Sequence, residues 1–76
     1  MNLTPAQIES LQEDMTADLI ETLIEKRAMT FQDATTTLYN SDTYEKLQDV
    51  ETGFYYQSPG YVYAFLESEL TTGKYC

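Results

Sequence analysis

The sequence predicts an all-α fold: a compact bundle of about four helices, one long and N-terminal, two short and one C-terminal. Three observations predict it. Apolar residues recur every three or four positions along the first helix and the last. Ser, Thr and Pro stand where helices start, as Thr4-Pro5, Thr30, Ser41 and Ser58-Pro59. A hydrophobic share of 42% in 76 residues fills one core, so residues 1–76 are expected to be a single helical domain.

The first helix begins at Thr4, a good N-cap, with Pro5 at the first helical position, where its missing N–H costs nothing. Ile8, Leu11, Met15, Leu19 and Leu23 share one face, and Ile20 and Ile24 widen it, so the second half is expected to be buried on two sides. Lys26 and Arg27 close the helix at the negative end of its dipole. Thr30 opens the second helix, with Asp33 completing an approximate capping box and Phe31, Ala34 and Leu38 as the apolar stripe. Thr35, Thr36 and Thr37 lose rotamer freedom in a helix, so packing must hold this element. Asn40 and Ser41 break it, and Ser41 caps a third, short helix carrying Tyr44 and Leu47 in a segment that Gly53 ends.

Residues 54–65 admit two readings. Gly53–Gln57 and Tyr61–Phe65 could be strands joined by Ser58-Pro59-Gly60, but a Pro-Gly type II turn twists the wrong way for a tight hairpin. Ser58 as N-cap with Pro59 behind it favours a helix from about Pro59 to Thr71, with Val62, Phe65, Leu66 and Leu70 on one face and Thr72-Gly73 as its C-cap.

Thirteen acidic residues against four basic ones give a net charge of −9. Phosphate backbones and anionic membrane surfaces repel such a chain, whereas a basic protein partner is drawn to it. The single cysteine, Cys76, allows no internal disulfide, and Met-Asn-Leu-Thr-Pro is no signal peptide, so the expected location is the cytoplasm. No apolar run is long enough to span a bilayer.

Histidine is absent, which removes Ser-His and Cys-His nucleophile pairs and His-based metal sites. Gly53, Gly60 and Gly73 are too far apart for a phosphate loop. No enzyme, metal or cofactor is expected. The acids that cluster are Asp14, Asp18, Glu21 and Glu25, spaced four, three and four apart in a stripe roughly opposite the apolar face of the first helix. Such a stripe is a solvated face or a docking surface for basic residues. Tyr55, Tyr56, Tyr61 and Tyr63 bracket the Ser58-Pro59-Gly60 turn, either filling the core or supplying aromatic anchors to an interface. Glu69 is an unusual carboxylate inside the apolar arc of the last helix. It either frays into solvent or is a buried or interfacial carboxylate hydrogen-bonded to a tyrosine, Lys26 or Arg27.

The segment Leu47-Gln-Asp-Val-Glu-Thr-Gly-Phe-Tyr-Tyr-Gln-Ser-Pro-Gly-Tyr-Val-Tyr, with Met29-Thr-Phe-Gln-Asp-Ala before it, resembles short bacterial proteins of unknown function. Some of these families are encoded beside toxin-like or filamentation-related genes. The resemblance runs from about Lys26 to Gly73 and carries no catalytic motif. It implies a compact helical domain and an accessory or antitoxin-like subunit.

Two functions of different class follow as expectations. The first is a protein–protein interaction module using the tyrosine cluster and the acidic face. The second is a small transcriptional regulator, with the second and third helices as a helix-turn-helix, although residues 42–49 carry the wrong charge for a phosphate-lined groove. Ile8, Leu11 and Met15 also offer a seam for a homodimer through the first helix.

Overall fold

In the computed structural model, which describes residues 3–72, Thr4 caps the first helix reciprocally with Gln7. The Thr4 hydroxyl accepts from the Gln7 amide at 3.2 Å, and Gln7 Oε1 accepts from the Thr4 amide at 2.9 Å. This helix, α1 (Pro5–Arg27), is 23 residues long. At 1.5 Å per residue it runs about 34 Å, nearly the full 37 Å length of the molecule. The other three helices among the described residues, α2 (Phe31–Tyr39), α3 (Asp42–Gln48) and α4 (Pro59–Thr72), all pack against α1. The fold is the expected all-α bundle, with a long first helix.

Local signals explain each start. Thr30 accepts from the Asp33 amide at 3.1 Å, Ser41 from the Tyr44 amide at 3.0 Å and Ser58 from the Tyr61 amide at 3.2 Å. Ser58-Pro59 therefore begins a helix, not the second strand of a hairpin. Between α3 and α4 the chain makes two 3-10 turns, Val50–Thr52 and Phe54–Tyr56, so α3 stops five residues short of Gly53. Gly53 lies between the two turns at φ 71°, a left-handed backbone that suits glycine. The C-cap expected at Gly73, and Cys76, lie outside the described residues.

The end of α1 was less predictable. Ala28 adopts φ 56° and ψ 33°, the left-handed conformation a glycine would adopt without strain. The threonine-rich centre of α2 is held as its composition demands. Ala34 and Leu38 are fully buried, and Thr35 Oγ1 donates back to the Phe31 carbonyl at 2.8 Å.

The core is formed by Met15, Leu19, Ile20 and Leu23 of α1, Ala34 and Leu38 of α2, Leu47 of α3, Phe54, and Val62, Tyr63 and Leu66 of α4. Two expectations change here. Phe31 is 68% exposed instead of joining Ala34 and Leu38 in the core, because at the first position of α2 it reaches past the end of the packed layer. Met15 is buried in its own chain at 4%, leaving Ile8 and Leu11 as the half-buried part of the seam.

Glu69 is a half-buried, hydrogen-bonded carboxylate, but its partners are none of those expected. Its carboxylate crosses from α4 to the start of α3, where Oε2 accepts from the Asp42 amide at 2.7 Å. Oε1 accepts from the Thr43 amide at 3.1 Å and the Thr43 hydroxyl at 2.9 Å. A carboxylate fits there because the first amides of a helix lack intrahelical partners and carry the positive end of its dipole. At the other end of α3, Gln12 Nε2 of α1 donates to the Leu47 and Gln48 carbonyls at 3.1 and 3.2 Å. Both ends of this short helix are finished by side chains from other helices.

Candidate functional site

The second side of α1 is where the fold leaves surface unfilled. Leu19 and Leu23 face the core and are fully buried, whereas Ile20 and the half-buried Ile24 lie round the helix from them. On that flank, Glu9, Glu13, Thr16, Ala17, Ile20 and Ile24 repeat at three- and four-residue intervals and form one wall of an open groove of 690 Å³. Phe31 and Tyr39 of α2 and Tyr44 and Gln48 of α3 form the other wall.

The aromatic wall is prepared by packing. Tyr39 and Tyr44 stack with ring centroids 4.8 Å apart and planes 28° from parallel. Tyr44 packs on the core, while Tyr39 and Phe31 are 53% and 68% exposed. Burial first, and the neighbouring Tyr39 second, push the Tyr44 hydroxyl above its ordinary value of 10.0. Glu9, Glu13 and Glu21 give the groove its charge, and no basic residue among the described residues lines it.

The residues singled out in the sequence are distributed differently. Asp14, Asp18, Glu21 and Glu25 are all exposed along α1 as the spacing implied, but only Glu21 reaches the groove. Among the described residues no set of three acids converges in a way that could hold a metal ion. The four tyrosines around Pro59 separate. Tyr63 is core, at 6% exposure, and Tyr55 packs partly against it, whereas Tyr56 and Tyr61 are exposed at 64% and 50%. Tyr61 meets Phe54 and Phe65 edge-on, at 6.4 and 5.2 Å between centroids, so one of its faces is spent on holding the N-terminal turn of α4.

Sequence reasoning missed Phe31, Tyr39 and Tyr44 as a site. The usable signal was the extra width of the apolar face at Ile20 and Ile24, which line the groove as well as the edge of the core.

No protein-family model, no curated protein and no solved structure matches the chain. No helix among the described residues is long and apolar enough to cross a membrane.

Proposed function

We propose that this chain is a small protein–protein interaction module, an accessory subunit of antitoxin-like kind that binds a basic protein. The observation that carries the reading is the open groove, with large aromatic side chains exposed beside glutamates and no basic residue in its lining among the described residues. Exposed aromatic anchors supply short-range binding energy, and a net charge of −9 speeds encounter with a cationic partner.

The regulator reading has less in its favour. Asp42, Glu45 and Asp49 lie in or next to α3, and its N-terminus already holds the Glu69 carboxylate where a recognition helix would meet DNA. Self-association through α1 rests on Ile8 and Leu11, since Met15 belongs to the core; light scattering at a mass of one chain across a wide concentration range ends that proposal.

Affinity capture from the native host tests the module, with the wild-type chain and a Phe31→Ala/Tyr39→Ala variant run side by side. A protein retained by the wild type, lost from the variant and released by salt supports the reading. Equal capture by the two chains, or none, overturns it.

A further inference from the structure

We infer that the groove between α1 and the α2–α3 wall accepts one amphipathic, lysine- or arginine-rich helix of the partner, about four turns long and lying along α1. The inference rests on the interaction-module reading and specifies what the partner presents.

The shape of the groove argues for a helix. Its α1 wall runs from Glu9 to Ile24, 15 residues apart, or about 22 Å at 1.5 Å per residue. Side chains along it repeat every three or four positions, the spacing of the ridges that a second helix meshes with. The small residues Thr16 and Ala17 sit midway, where a partner backbone can come close. No strand occurs among the described residues, so there is no sheet edge on which an extended peptide could pair. A small molecule fits less well, because such ligands bury most of their surface in enclosed sites and this groove is only partly enclosed.

Charge selects the sign of the partner. Glu9, Glu13 and Glu21 flank an apolar floor of Ile20 and Ile24 and an aromatic wall of Phe31, Tyr39 and Tyr44. A helix with apolar residues at i, i+3/i+4 and i+7 and cations beside them satisfies both. A second copy of this chain does not, since it brings another −9 to a groove that already holds glutamates.

The test is a displayed library of random 20-residue peptides selected at low salt on the full chain. Binders are then measured against Phe31→Ala/Tyr39→Ala and against Glu13→Lys/Glu21→Lys. All four substituted side chains are exposed, so both variants keep the core intact. The expected result is enrichment of basic peptides with helical apolar spacing that gain helix on binding. Each variant should weaken them at least about tenfold, as loss of an aromatic anchor or of complementary charge does. Proline-rich, acidic or extended binders, or basic helices that bind both variants as well as the wild type, overturn the inference. So does a selection that returns no groove-dependent binder. In each of these cases the interaction-module reading stands or falls separately, on whether capture from the host depends on Phe31 and Tyr39.

Discussion

Glu69, near the end of α4, accepts hydrogen bonds from both the backbone amide (3.1 Å) and the hydroxyl (2.9 Å) of Thr43, in the first turn of α3. Thr43 is fully buried, so its hydroxyl has no water to turn to if the carboxylate is removed. Glu69→Ala is expected to destabilise the fold by about 1–3 kcal/mol, the range for losing hydrogen bonds to a charged group. Thr43→Val should cost about 1 kcal/mol, and the double variant less than the sum. Urea denaturation of the four proteins checks this; strict additivity would mean that the two side chains do not cooperate.

Ala28 offers a gain. It holds φ 56° with a Cβ that this conformation penalises by roughly 1–2 kcal/mol. Ala28→Gly removes the penalty while loosening the unfolded chain, for a net stabilisation of about 0.5–1 kcal/mol. A rise of a few degrees in the thermal midpoint is the expected observation; an unchanged or lower midpoint contradicts it.

Gly53 is the opposite case. At φ 71° any Cβ is strained, and one built there would lie 2.8 Å from the Tyr56 hydroxyl oxygen. Tyr56 is exposed and can swing away, so the backbone strain is the lasting cost. Gly53→Ala should destabilise by about 1–2 kcal/mol, and combining it with Tyr56→Ala should recover little of that loss. Chemical denaturation of the single and double variants distinguishes strain from collision.

Alkaline pH acts through two tyrosines. Burial first, then Glu67, raise Tyr63, with Arg27 opposing; burial first, then Tyr39, raise Tyr44. The Tyr63 hydroxyl is buried, with Arg27 as its neighbouring charge. For both residues the fold favours the neutral phenol, so the folded value lies above the unfolded value of 10.0. Their stabilising contribution is complete below pH 10 and is lost as pH rises through the folded values. Stability measured between pH 9 and 12 should therefore fall, and Tyr63→Phe should make that fall shallower. An identical slope in the variant would remove Tyr63 from this account.

The groove and the core should respond oppositely to truncation. Leu38 is fully buried, and Leu38→Ala should cost about 2–5 kcal/mol. Phe31 has the larger side chain yet is 68% exposed, and Phe31→Ala should stay within about 0.5 kcal/mol of wild type. Thermal melts of the two variants test this directly.

The features legible in the sequence were those set by neighbours in the chain. Thr4 with Gln7, Thr30 with Asp33, Ser41 with Tyr44 and Ser58 with Tyr61 each act over three residues, and each helix starts where its cap stands. The same logic settled Ser58-Pro59 in favour of a helix. The groove was not legible, because it depends on where α2 and α3 dock. Phe31 reads as part of an apolar stripe until docking leaves the first turn of α2 overhanging. The tyrosines around Pro59 look like one cluster in sequence, but a 3-10 turn and a helix start send Tyr63 inward and Tyr56 outward. Glu69 and Gln12 meet α3 across 26 and 35 positions, beyond any local pattern.

The fastening of α3 at both ends also governs how the molecule opens. A helix of seven residues is too short to persist alone in water. Here its first amides are held from α4 and its last carbonyls from α1. It cannot fray from either end without breaking a contact between helices, so α3 amides should exchange hydrogen with solvent only when the whole bundle unfolds. The Tyr44 side of the groove then sits on a helix anchored at both ends. On the proposed reading, a partner would meet a wall whose ordering entropy is lost during folding, before any encounter.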